Sequence, residues 1–98
     1  MPRERLPTSE IGTRLQALDG WSVSQDGLSI GKTFTFRNFV EAFGFMAQCA
    51  IHAEKLDHHP EWSNVYKTVE VRLTTHSAKG LTELDFELAA KMDRAARH

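Results

Sequence analysis

The sequence predicts an α+β domain in which a four-stranded antiparallel sheet carries three helices on one face, in the order α-β-β-α-β-β-α. Three observations lead to this. Two stretches alternate apolar and polar residues at the period of a strand, and each is broken by a turn, the first at Asp26-Gly27 and the second between Tyr66 and Val69. Three other stretches repeat apolar residues at helical spacing, and the longest contains no proline. The chain is 98 residues long, near the lower end of what buries a core unaided, so residues 1–98 are expected to form one domain.

The elements follow in order. Thr8 or Ser9 with Glu10 opens a short helix whose Ile11, Leu15 and Leu18 lie on one side, with Arg14 and Gln16 on the polar side, and Asp19-Gly20 ends it. Trp21, Val23 and Gln25 then alternate with Ser22 and Ser24 to form a strand, and Leu28, Ile30, Thr33, Phe34, Thr35 and Phe36 supply its hairpin partner. Residues 37–57, rich in Ala, Phe and Met and broken only by Gly44, read as the longest helix. At about 100° per residue its Asn38, Glu41, Gln48, His52 and Lys55 make a narrow polar stripe. Phe39, Val40, Ala42, Phe43, Met46, Ala47, Ala50 and Ile51 occupy most of the remainder, a face wide enough for more than one packing partner. Phe45 falls within the polar stripe, where a monomer would expose it, so this helix is expected at a subunit interface.

Glu54 is the sharpest anomaly on that wheel, because it falls near the centre of the apolar face. A carboxylate buried there needs a hydrogen-bonding partner or a cavity, which leaves two readings: an ion pair at the helix end, or a pocket wall. Asn64 to Tyr66 and Val69 to Thr75 form the second hairpin, with Val69, Val71, Leu73 and Thr75 pointing one way and Glu70, Arg72, Thr74 and His76 the other. The last helix opens at Thr82 as N-cap, with Asp85 three residues on in a capping-box arrangement, and buries Leu84, Leu88, Met92 and Ala95.

Composition excludes several classes of function. A net charge of −1 from 12 basic and 13 acidic residues gives no electrostatic footprint for nucleic acid or an anionic membrane. No run approaches the roughly 20 apolar residues of a membrane span, and no apolar signal region follows Arg3 and Arg5, so the chain reads as cytoplasmic. Cys49 is the only cysteine, which rules out an internal disulfide and fits a small buried hydrophobe in a reducing compartment.

The chemistry is concentrated in Glu54-Lys55-Leu56-Asp57-His58-His59-Pro60, followed by His76 and Asp85. Histidine exchanges protons near neutral pH without assistance. Glu54 precedes His58 by one helical turn and should lie beside it, whereas His58 and His59 must diverge as the chain enters Pro60. Three histidines with a carboxylate would satisfy the ligand count of a metal centre, yet neither H-x-H nor H-x-x-x-H occurs, and adjacent ligands are awkward. Nucleophilic catalysis fits less well, since Cys49 reads as buried and no serine sits in a strand-turn-helix elbow. Two readings stay open, metal-free acid and base chemistry by paired histidines and histidines held by structural contacts alone.

Glu54-x-x-x-His58-His59-Pro60-x5-Tyr66-x9-His76-x8-Asp85 resembles the signature of the pterin-4a-carbinolamine dehydratases. The resemblance extends to Trp21, Thr33-Phe34-Thr35-Phe36, Ala42-Phe43-Gly44-Phe45-Met46 and Pro60-Glu61-Trp62-Ser63-Asn64-Val65-Tyr66, nearly the whole chain. It implies dehydration of 4a-hydroxytetrahydropterin to quinonoid dihydropterin, without a cofactor or metal, in support of an aromatic amino acid hydroxylase. It implies that His58, His59 and His76 are catalytic; spacing does not say which is acid and which is base, and our own assignment makes His59 the base at the ring nitrogen, with the other two protonating or orienting the hydroxyl. Glu54, Trp21, Asp57, Pro60 and Asp85 would form the substrate pocket, with Asp85 also capping the last helix and steadying the loop after His76. A homodimer or homotetramer joined through the 37–57 helix is likewise implied. Animal members also act as dimerisation partners of a homeodomain transcription factor, and others are linked to molybdopterin, which gives a binding module and a related pterin as alternatives. Lys79 departs from the pattern, since the family usually has a small residue there; this bears on substrate choice rather than reaction type.

Overall fold

The computed structural model describes residues 3–97 and has the predicted order of elements. Helix α1 (Thr8–Gln16) leads to strands β1 (Ser22–Val23) and β2 (Ile30–Thr35), then helix α2 (Phe39–Leu56), strands β3 (Glu61–Val65) and β4 (Thr68–Leu73), and helix α3 (Glu83–Ala95). The strands form one antiparallel sheet in the order β1-β2-β4-β3. Opposite residues along β2 and β4 include Ile30 with Leu73 and Phe34 with Val69, so their inward side chains make one apolar surface. The helices cover that surface: Ala42, Phe45, Cys49 and Ala53 of α2 join Phe86, Leu88, Ala89 and Met92 of α3 and Ile11 of α1 in a single core.

Several boundaries move for local reasons. β1 is only two residues long, because Ser24 leaves the ladder to form a six-residue loop in which the Asp26 carboxylate accepts from Ser24 Oγ and the Leu28 N–H. β3 starts at Glu61, earlier than Asn64, and stops before Tyr66, whose positive φ of 52° places it in the turn. Pro60 lacks an N–H and so sits just ahead of an edge strand, where no ladder bond is lost. His76 does not end a strand but begins a 3-10 turn (His76–Ala78), held by a bridge between Thr75 and Gly80.

α2 corrects the expectation about Phe45. Its ring is buried at 3% exposure and packs at 4.7 Å from Phe34 and 4.9 Å from Phe36. The wider apolar face, with Phe39, Val40, Phe43 and Ile51, points to solvent instead. Small and aromatic residues at 42, 45, 49 and 53 fit the helix closely against the sheet, and the neighbouring polar stripe borders this contact rather than opposing it.

A part-buried ion pair ties the first strands to α3. Asp93 accepts from Trp21 Nε1 at 3.0 Å and from Lys32 Nζ at 2.8 Å, and Lys32 also donates to the Asp19 carbonyl. Asp93→Ala leaves two donors without their acceptor and should lower stability by about 2–3 kcal/mol in urea denaturation. Cys49 is fully buried, and burial pushes its thiol up to about 12. At pH 8 the thiol should therefore resist alkylation in the native protein and react once the chain is unfolded.

Candidate functional site

The site begins where α2 stops. Asp57 takes a left-handed conformation (φ 50°, ψ 45°), and the His58 N–H bonds back to the Ala53 carbonyl at 3.0 Å. This turn sends consecutive side chains in opposite directions. His58 goes inward, 5% exposed, and its Nε2 meets Asp85 Oδ1 at 2.5 Å. His59 goes outward over the last turn of α2, and its Nε2 meets Glu54 Oε1 at 2.6 Å.

Glu54 is thus beside His59 and not His58, because the left-handed residue breaks the helical spacing that would have paired them. Nor is it buried: its side chain is 78% exposed, since the apolar face around it is the outer face of α2. Its position needed no buried partner.

Asp85 is 0% exposed and joins three parts of the chain. Its Oδ2 accepts from the Thr82 N–H at 3.0 Å and from Thr75 Oγ1 at 2.8 Å, while Oδ1 faces His58. Thr82 Oγ1 in turn accepts from the Leu84 N–H, which completes the expected helix cap. A carboxylate only accepts, so the proton of this short contact belongs to His58 Nε2. Nδ1 of the same ring has no partner among the described residues. No buried side-chain polar atom among them lacks one, so Nδ1 is the atom of His58 open to solvent.

His76 reaches the site from the far side. Its Nε2 meets Glu61 Oε2 at 2.7 Å, and the other oxygen of Glu61 accepts from Arg72, directly opposite on β4. The hydrogen bond from His76, followed by that from Arg72, holds the Glu61 carboxyl below its ordinary range. A cleft of about 230 Å³ lies between these groups, bordered by His58, His59, His76, Asp57, Thr75 and Arg3. Arg3 donates to the Asp57 carbonyl at 2.6 Å and so lays the N-terminal arm along one rim.

The three catalytic candidates are therefore brought together, with Asp57 on the rim and Glu54, Pro60 and Asp85 next to the imidazoles. Trp21 is not among them. Its indole is committed to Asp93 and lies edge-on to Phe34 at 5.9 Å, so within one chain it serves the core and not the cleft. His52 also stands apart, between α2 and α3, where burial and nearby Lys91, Lys55 and Arg94 lower its pKa. Among the described residues, no three His, Cys, Asp or Glu side chains are grouped to hold a metal ion. Glu61, Arg72 and Arg3 escaped the sequence reading. The register was the missing signal, since a two-residue turn at Tyr66-Lys67 places Glu61 opposite Arg72.

Each imidazole engages a carboxylate through Nε2 and keeps Nδ1 for other work. Such a set can give and take protons around a small polar molecule.

Comparison with known proteins identifies the family. The family profile "Pterin 4 alpha carbinolamine dehydratase" matches residues 4–95. A relative from Sinorhizobium fredii, named "Putative pterin-4-alpha-carbinolamine dehydratase", is 60% identical over 96 residues, covering 98% of this chain and 91% of that protein. One of the same name from Rhizobium meliloti is 59% identical, with 98% and 92% covered. The crystal structure of a "transcriptional coactivator/pterin dehydratase" from Brucella melitensis superposes with a TM-score of 0.93 at 53% identity, over 95% of this chain and 99% of that one. A pterin dehydratase-like protein described as a RuBisCO assembly factor of the alpha-carboxysome shares the fold, with a TM-score of 0.70 at 21% identity over 81% and 92%.

The contrast between buried and exposed pairs is measurable. Asp85→Asn turns one acceptor oxygen into a donor inside a closed network and should cost about 2–4 kcal/mol in urea denaturation. Glu54→Gln, on the exposed pair, should change stability by less than about 0.5 kcal/mol.

Proposed function

This chain belongs to the pterin-4a-carbinolamine dehydratase family, and from that premise we propose that it removes water from a 4a-hydroxytetrahydropterin by histidine acid and base catalysis. The observation that carries the reading is a single cleft bordered by three imidazoles, each turned by its own carboxylate.

The reaction needs two proton movements and no change of oxidation state. A neutral imidazole takes the proton of the ring nitrogen next to C4a, and the freed electron pair closes a C=N bond to C4a. The C4a–O bond breaks as a protonated imidazole gives its proton to the departing oxygen, which leaves as water. His59 is assigned as the base: it is exposed, and Glu54 on its far nitrogen stabilises the imidazolium that forms. His58, held by Asp85, and His76 supply or orient the proton of the hydroxyl. Asp57 and Pro60 set the divergence of the two adjacent histidines. Neither step draws on a metal or cofactor. The quinonoid dihydropterin product would return to the tetrahydro form through a reductase, which places the protein beside an aromatic amino acid hydroxylase, in the cytoplasm. A molybdopterin-related pterin is the alternative substrate, and the exposed Lys79 after His76 is the residue that would bear on this choice.

A second reading rests on the outer face of α2. Phe39, Val40, Phe43 and Ile51 are between 49% and 77% exposed there, an apolar surface that suits a second copy of the chain in a homodimer or homotetramer. The same surface would serve a coactivator role like the one named for the Brucella melitensis relative.

Chemically generated 4a-hydroxytetrahydropterin, followed by ultraviolet absorbance, tests the main reading. Wild-type protein should accelerate its decay, His59→Ala should lower the rate by about 10²–10⁴-fold, and exhaustive chelation should leave the rate unchanged. A wild-type rate equal to that of buffer would remove the proposal. Sedimentation at micromolar concentration should reveal an oligomer, and a strictly monomeric species would refute the interface.

A further inference from the structure

The three histidines are held in different ways, and His76 is the one whose support comes from outside the signature residues. Its imidazole is largely exposed, 78% by side chain, and protein atoms do not crowd it into place. What fixes it is a chain of two ionic contacts. Arg72 grips one oxygen of Glu61, and the other oxygen, Oε2, meets His76 Nε2 at 2.7 Å. We propose that Glu61, clamped by Arg72, is a positioning residue that locks His76 in the tautomer with the proton on Nε2 and so presents Nδ1 to the cleft. The role in catalysis rests on the dehydratase reading above, whereas the tautomer does not.

Three features raise this above an ordinary surface pair, whose worth is generally small. Glu61 and Arg72 are directly opposed in the β3–β4 register, so the ladder sets their separation rather than two mobile side chains finding each other. His76 follows Thr75, whose N–H bonds to the Gly80 carbonyl at 3.0 Å and whose hydroxyl donates to Asp85, so the backbone under the imidazole is tied to the same centre that holds His58. Finally, Glu61 divides its two oxygens, one to each partner, and has no freedom to serve Arg72 by turning away from His76.

A carboxylate offers no hydrogen, so the shared proton is that of Nε2 and the remaining lone pair, or second proton, belongs to Nδ1. The same atom of Glu61 also explains its acidity: the hydrogen bond from His76 is the largest influence holding its carboxyl low, so the clamp persists below the pH at which ordinary glutamates are neutralised.

Long-range nitrogen–proton correlation NMR reads the tautomer without reference to activity. Neutral His76 should carry its proton almost exclusively on Nε2 in the wild type, whereas in Glu61→Ala it should relax to the mixture of a free histidine, in which the Nδ1–H tautomer is a detectable minority; a wild-type ring with that same mixture would refute the clamp. A wild-type ring protonated mainly on Nδ1 would overturn the proposal, whatever reaction the protein catalyses. In the dehydratase assay, Glu61→Gln should lower kcat by about 10–100-fold with KM changed by less than about twofold, the range in which an orienting partner acts on a functional histidine. Arg72→Gln should shift kcat the same way, and Arg72→Lys should recover part of the loss. Glu70→Gln, which removes a charge from the same face of β4 outside the cleft, should leave the rate unchanged. The decisive comparison is Glu61→Gln placed on His76→Ala, where it should have no further effect. An equal loss on both backgrounds would make Glu61 merely structural and refute the positioning role. If the wild type shows no dehydratase activity, the functional reading fails while the NMR result still decides the clamp.

Discussion

The Asp85 carboxylate is the point on which both the fold and the site depend. It is withdrawn completely from solvent, a state tolerable for a charged group only when its oxygens are occupied by donors. Those donors come from three separate stretches: the Thr82 N–H at the start of α3, the Thr75 hydroxyl at the exit from β4, and the imidazole of His58 at the exit from α2. Its place in the first turn of α3 also lets the positive end of the helix favour the charge. One side chain therefore closes a helix, steadies a loop and aims an imidazole. The helix cap expected of Asp85 and its contact with His58 are carried by the two oxygens of one carboxylate.

The second organising feature is the division of labour around α2. One side, with Ala42, Phe45, Cys49 and Ala53, is closely fitted to the sheet, and the opposite side keeps large apolar groups in solvent. The end of the helix then distributes the histidines. A single left-handed residue, Asp57, inserts His58 between α2 and α3 and turns His59 back over the surface. The outcome is graded: one buried pair whose partner is immobile, and two exposed pairs whose imidazoles can meet a ligand. Under the dehydration proposed above, this gradation would separate the roles, since loss of water from a carbinolamine needs one group to give a proton and another to accept one.

The sequence by itself determined the order of elements, the antiparallel sheet, the capping box at Thr82 and Asp85, the burial of Cys49 and the divergence of His58 from His59. Each follows from interactions between residues a few positions apart, where periodicity, turn chemistry and caps act directly. Only the tertiary structure decided which face of α2 enters the core, that Glu54 is exposed and partners His59, that Trp21 is held by Asp93, and that Glu61 links Arg72 to His76. The helical wheel ranked faces by hydrophobicity, but close packing selected Ala, Phe, Cys and Ala at 42, 45, 49 and 53 because their shapes fit the sheet. The histidine cluster that Glu54 through Pro60 announced was thus legible as a set of residue types. Its pairings were not, because they arise from strand register and one left-handed turn, which bring together residues that no local spacing connects.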